Sequence, residues 1–129
     1  MANKLASYAK GEWLLPLGDD DLLDPEFISF LLPYTDNADI VYPWCRVSGS
    51  WWSPNRLYTK GVLKHENFIP ATTLIRKSLW EKLGGYNVRH KYEDWDFWLR
   101  AEAEGARFVC VPEVLWTYRQ HGGNLFNKI

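Results

Sequence analysis

Three groups of side chains in this sequence have types and spacings that can do chemistry. Asp19, Asp20 and Asp21 are consecutive and follow directly on the apolar run Trp13-Leu14-Leu15-Pro16-Leu17 and Gly18. Carboxylates this close repel one another, so a folded site at neutral pH must supply a cation or strong donors. Oxygen-only ligands select hard ions such as Mg²⁺ or Mn²⁺, which are often shared with substrate phosphates. The carboxyl end of a strand is also where open α/β sheets place their ligands. A solvated acidic turn capping the next helix is the other reading, and spacing alone leaves both open.

The second group is Tyr92-Glu93-Asp94-Trp95, at the start of an expected helix. Acidic residues complement the positive end of the helix dipole, which by itself accounts for their presence. A carboxylate held between Tyr92 and Trp95 would also have a shifted pKa and serve as a general base. The third group, Tyr118-Arg119-Gln120-His121, sets a cation beside an imidazole at the end of an expected strand. As an isolated pair, such residues are more often found on a surface than in a ligand set.

These groups must be positioned by the elements around them. Residues 2–10 place Leu5, Tyr8 and Ala9 on one helical face, with Gly11 as the C-terminal cap. Residues 12–17 form a strand-length apolar run, expected to be covered on both faces, with Pro16 at its end or on an unpaired side. Asp24-Pro25-Glu26 reads as a helix start, with Asp24 as cap, and that helix runs to Pro33. Ala38 to Trp44 reads as a strand, and residues 46–64 as a hairpin or aromatic-rich excursion.

Further along, Phe68 to Arg76 is an expected strand, Lys77 to Leu83 a short helix, and Gly84-Gly85 its end. Glu93 to Glu104 has helical spacing and stops at Gly105. Arg107–Val111 and Val114–Tyr118 are β-rich and split by Pro112, and Gln120–Ile129 reads as a polar loop.

The chain of 129 residues fits one domain, since about 100 to 200 residues per domain is usual. Fifteen basic against 16 acidic residues, a net charge of −1, give no cationic field of the kind that binds nucleic acid. No apolar stretch approaches the roughly 20 residues of a membrane span. The first ten residues lack the apolar core of a secretory signal, so the chain reads as cytoplasmic. Cys45 and Cys110 are too far apart for a metal knuckle and read as free thiols in a reducing compartment. Eight Trp, seven Tyr and six Phe exceed what a small core needs, so some rings are expected to line a groove for a sugar or a base.

Taken in order, the motifs resemble those of family 2 glycosyltransferases with the GT-A fold. Gly11 to Leu17 followed by Asp19-Asp20-Asp21-Leu22-Leu23-Asp24-Pro25 is similar to that family's strand and DxD segment. Arg76 to Asn87 resembles its helix and GGYN turn, Tyr92 to Arg100 its ED helix, and Tyr118-Arg119-Gln120-His121 its closing YRxH segment. The resemblance implies an α/β fold, a partial GT-A domain with a mixed sheet flanked by helices, spanning residues 1–129 as one truncated unit.

It also implies metal-dependent, inverting transfer from a nucleotide-sugar to a saccharide or other hydroxyl acceptor. Asp19 and Asp21 would hold Mg²⁺ or Mn²⁺, with His121 completing the set. Asp19, Asp20 and Arg119 would contact the donor. Asp94 would be the base, with Glu93 beside it, and Trp95, Trp51 or Trp52 would stack on the acceptor, while Trp95 or Trp98 is core. Gly18 stands where many members have Asp, which leaves the ligand register within Asp19–Asp21 open.

The match covers only the carboxyl-terminal part of the family's domain and lacks its nucleotide-binding portion. The chain is then a catalytic fragment, a non-catalytic binding module, or a subunit completed by a partner chain. The strand at residues 12–17 would lose one neighbour and present an open apolar edge, so a homo-oligomer, formed by edge pairing or exchange of elements, or a complementing chain is expected.

Overall fold

The computed structural model describes residues 2–17, 22–47 and 55–118. Its elements are α1 (Ala2–Tyr8), β1 (Trp13–Leu14), β2 (Leu22–Leu23), α2 (Phe27–Leu31), β3 (Ile40–Val47), β4 (Leu74–Arg76), α3 (Lys77–Leu83), α4 (Glu93–Ala103) and β5 (Phe108–Tyr118). Short 3₁₀ turns cover Leu32–Tyr34 and Val62–Lys64. The strands form one five-stranded mixed sheet in the order β1-β4-β3-β5-β2. Only β3 and β5 run parallel, with Ile40 opposite Phe108 and Tyr42 opposite Cys110; the other pairs are antiparallel.

Alternation along the strands splits the core into two layers. Ile40, Tyr42 and Ile75 face one way and meet Trp80, Tyr86, Phe97 and Trp98 of the α3–α4 end. Val41, Cys45, Val47 and Leu74 face the other way and meet Phe27 and Leu31 of α2. Phe97 and Trp98 are fully buried, each worth about 2 to 3 kcal/mol of apolar burial. Most of the aromatic excess lies in this first layer. Trp80, Tyr86 and Phe97 form a ring cluster with centroids 4.7 to 5.7 Å apart.

The mixed α/β architecture and the α3, α4 and Gly84-Gly85 assignments agree with the sequence expectations. Several local expectations are corrected. Leu5 and Tyr8 do not form the buried face of α1; they are 61% and 70% exposed, and Ala6 and Ala9 pack inward instead. Asn3 sets this rotation by clamping the backbone of Tyr86. Its side chain donates to the Tyr86 carbonyl at 2.8 Å and accepts from the Tyr86 N–H at 2.9 Å. Gly11 is not a left-handed cap, because α1 stops at Tyr8 and the Lys77 ammonium meets the Ala9 carbonyl.

Asp24 does not cap α2 with its side chain; the helix starts later, after Glu26. Its backbone N–H donates to Leu115 O at 2.8 Å, so the sheet has claimed this residue. The expected strand at residues 68–76 shrinks to Leu74–Arg76, and 68–73 is irregular chain in which Phe68, Ile69, Thr72 and Thr73 are buried. Pro112 does not divide the last strand. The register jumps from Pro43 opposite Val111 to Trp44 opposite Val114, so Pro112 and Glu113 form a bulge in which no ladder N–H is needed. Among the described residues, 55–64 form no hairpin. Cys45 is buried and Cys110 half-buried, and no disulfide joins the two.

Candidate active site

α4 begins at Glu93 and carries Glu93, Asp94 and Asp96 in its first turn. Asp96 is spent on structure: Arg100 one turn later donates to its carboxylate at 3.0 Å. The same guanidinium donates to Leu83 O at 2.6 Å and Gly85 O at 2.7 Å, capping the end of α3 and binding it to α4. That cap has a tight turn to hold. Gly84 and Gly85 have φ of 77° and 73°, and a Cβ on Gly85 would lie 2.5 Å from Asn3 Oδ1. The GGYN segment is therefore a fixed junction between α1, α3 and α4.

Asp94 sits at that junction. Burial pushes its carboxyl above the ordinary carboxylate value, against hydrogen bonds from the Trp95 N–H, the Asn67 side-chain amide and its own N–H, which pull it down. Burial wins, even at a helix N-terminus that favours the anion. The result is a more basic carboxylate than a surface aspartate, the property a proton acceptor needs. Glu93 shares the helix turn and is half-buried.

Trp95 is half-buried. Its indole N–H donates to Leu63 O at 2.6 Å, and its ring centroid lies 6.0 Å from that of Tyr92. The Tyr92 and Trp95 rings thus form an aromatic wall at the start of α4. Trp98, its neighbour one turn on, is fully buried and is the core member of the pair.

Two polar residues join this site that motif spacing did not single out. The hydroxyl of Tyr86 is buried with no hydrogen-bond partner among the described residues, and the charges of Asp94 and Glu93 act on it. Asn67, between the Val62–Lys64 turn and β4, is close enough to lower the Asp94 carboxyl, and its Oδ1 is buried and unpartnered among the described residues. Tyr86 lies within the GGYN string; nothing in the local sequence marks Asn67.

Asp19, Asp20, Asp21, Trp51, Trp52, Arg119 and His121 lie outside the described residues. Among the described residues no group of three His, Cys, Asp or Glu side chains is arranged to hold a metal ion. No described helix is long and apolar enough to cross a membrane. The strand that leads to the aspartates is anchored firmly. Trp13 stacks on the Arg76 guanidinium at 4.5 Å, and Arg76 also donates to Glu12 at 2.7 Å and to Ala38 O at 2.8 Å. Beyond β4, β1 has no other partner strand among the described residues.

No family model matches the chain. Two curated proteins do. The uncharacterized glycosyltransferase YwdF of Bacillus subtilis is 25% identical over 90% of this chain and 48% of its own length. The uncharacterized glycosyltransferase MJ1057 of Methanocaldococcus jannaschii is 23% identical over 91% of this chain and 45% of its own length. The chain thus spans about half the length of the curated relatives it matches.

Among solved structures, residues 1–349 of S. aureus TarS superpose with a TM-score of 0.75 at 16% identity, over 91% of this chain and 38% of that one. The same TarS fragment in complex with UDP-GlcNAc gives 0.78 at 14% identity, over 98% and 40%. The chain has the fold of a part of TarS and is a homologue of proteins named glycosyltransferases, in agreement with the resemblance carried by its motifs.

Proposed function

We propose that this chain is the acceptor-side part of a glycosyltransferase that moves a sugar from a nucleotide-sugar to an acceptor hydroxyl with inversion. The observation that carries the reading is Asp94: a desolvated carboxylate, more basic than usual, fixed at a rigid helix start beside an aromatic wall. The names of the two relatives and the UDP-GlcNAc held by TarS support it.

In this reading Asp94 takes the proton of the acceptor hydroxyl. The freed oxygen pair forms the bond to the anomeric carbon, and the bond to the diphosphate breaks on the opposite face, the diphosphate leaving with that electron pair. Trp95 borders the acceptor and Trp51 or Trp52 stacks on it, while Asp20 and Arg119 contact the donor. Asp19, Asp21 and His121, an oxygen-rich donor set with one imidazole, suit Mg²⁺ or Mn²⁺. When bound, that ion offsets the charge that builds on the departing diphosphate.

A second reading is favoured by the edge of β1, which has no second partner strand among the described residues. There the nucleotide-binding portion comes from elsewhere, and this chain is a subunit or a binding module. Calorimetric titration of UDP-, GDP- and dTDP-sugars with Mn²⁺ separates the readings. Tight binding by this chain alone supports a self-sufficient transferase, binding only with an added partner supports the subunit, and no binding in either case supports the module. Asp94→Asn is expected to abolish transfer while sparing donor binding; unchanged turnover in that variant would remove Asp94 from the role of base.

A further inference from the structure

Arg46 and Thr117 stand near the carboxyl ends of β3 and β5, the two strands that run parallel, and they are opposite one another in the register. Their side chains meet: Arg46 Nη1 donates to Thr117 Oγ1 at 3.0 Å. Cys45 and Val47 pack in the α2 layer, so Arg46 between them leaves the sheet on the opposite side, the one that carries α4. Trp116 and Tyr118 flank Thr117 in the same way.

The backbone under Arg46 is fixed from both edges. β5 holds one edge, while on the other β4 pairs only with Ile40 and Val41. Further along that edge the Asn55 side chain stands in for a strand: it accepts from the Cys45 N–H at 2.8 Å and donates to the Cys45 carbonyl at 3.0 Å. The Tyr42 hydroxyl secures the next residue of that segment by donating to the Arg56 carbonyl at 3.0 Å.

Arg56, Arg76, Arg100 and Arg107 each hold a carboxylate. Arg46 is exposed, and among the described residues no carboxylate pairs with it. A guanidinium oriented by one neutral hydroxyl keeps further N–H donors in a planar fork, the shape that matches two phosphate oxygens. The carboxyl ends of strands are also where open α/β sheets receive ligands. On the far edge of β5, the residue opposite Thr117 is Leu22, which follows Asp21 in the sequence.

Resting on the reading of the chain as a nucleotide-sugar transferase, we infer that Arg46 contacts the diphosphate of the donor and that Thr117 is its positioning residue. The fork binds two diphosphate oxygens, and Thr117 Oγ1 sets the plane of the fork. The diphosphate gains negative charge as it leaves, so a fixed cation at this place favours the departure as well as the binding.

The contact is tested on the whole chain by calorimetric titration of inorganic pyrophosphate. Arg46→Gln is expected to weaken binding about tenfold. Arg46→Lys, which keeps the charge without the fork, falls between it and the parent, and serves should the glutamine variant not fold. Lys10→Gln, which removes an exposed cation ahead of β1, leaves the affinity unchanged. A parent that does not bind pyrophosphate, an Arg46 variant that binds as the parent does, or an equal loss in Lys10→Gln overturns the contact.

Thr117→Val keeps the side-chain shape and is expected to weaken pyrophosphate about threefold with an unchanged melting temperature, and Thr117→Ser to restore it. Parent affinity in Thr117→Val, or no recovery in Thr117→Ser, overturns the positioning role. Glycerol 3-phosphate is the probe for a phosphate on the acceptor instead: Arg46-dependent binding that is tighter for it than for pyrophosphate overturns the donor assignment. The base reading fails separately, since turnover retained in Asp94→Asn removes the base and leaves the Arg46-dependent binding of pyrophosphate standing.

Discussion

The α3–α4 end and the rim formed by the solvent-facing sides of α1, β1 and α2 are built on opposite terms. At the first, every element is tied to the next by side chains: Arg100 across two helices, Asn3 onto Tyr86, Trp95 onto Leu63, and the Tyr58 hydroxyl onto Glu102 of α4. At the second, β1 is a two-residue edge strand, and Leu5, Tyr8, Leu17, Ile28, Phe30 and Leu32 are all exposed. One end is complete in itself. The other presents apolar surface and a strand edge with no second partner among the described residues, features that another element or another molecule can cover.

The contrast makes graded predictions. Phe97→Ala removes a fully buried ring from the complete end and is expected to cost about 3 to 5 kcal/mol in chemical denaturation. A loss under half of that would mean the α3–α4 packing is loose. Gly85→Ala forces a side chain into a left-handed conformation and against Asn3, for about 2 kcal/mol, and should lower the melting temperature together with hydrogen-exchange protection in α1. If α1 kept its protection, Asn3 would not be the clamp.

The next effect is smaller and its sign depends on pH. Asp94 binds its proton more tightly folded than unfolded, so its ionisation costs stability as the pH rises from the ordinary carboxylate value through the raised folded one. Asp94→Asn should therefore melt above the parent at neutral pH, with the gap closing in acid where both side chains are neutral. Asp39 works in the opposite sense. Its burial is outweighed by the hydrogen bonds and charges of Arg107 and Arg76, which hold its carboxyl below the ordinary value. Its contribution is present at neutral pH and lost as the pH falls through the lowered value. An Asp39→Asn chain whose deficit did not shrink in acid would contradict this pairing.

The smallest change belongs to the rim. Leu5→Ser and Tyr8→Ser are expected to shift monomer stability by no more than about 0.5 kcal/mol, since neither side chain is buried. They should still matter to association. If β1 pairs with a second copy, sedimentation at micromolar concentration shows a dimer, and the double variant weakens it. A monomer at all concentrations would leave the rim to a different partner.

How much of this was legible in the sequence follows from the range of the forces involved. α3, the paired glycines and α4 are set by neighbours three or four residues apart, by left-handed caps and by an acidic first turn, so a local pattern sufficed. The ordered motifs, an apolar strand before three aspartates and a later acidic helix start, were also legible, and they carried the resemblance that the relatives and the TarS fold bear out. The rotation of α1 was not, because it is decided by Asn3 reaching a residue 83 positions away. Nor was the loss of the Asp24 cap to the β5 carbonyl of Leu115, or the continuity of β5 past Pro112.

The candidate base divides in the same way. The sequence determined that Asp94 begins a helix beside two aromatics. Only the tertiary structure decided that it is half-buried and desolvated, near Asn67 and Tyr86. Burial and long-range hydrogen bonds arise from chain segments that meet in space, and periodicity carries no record of which segments those are.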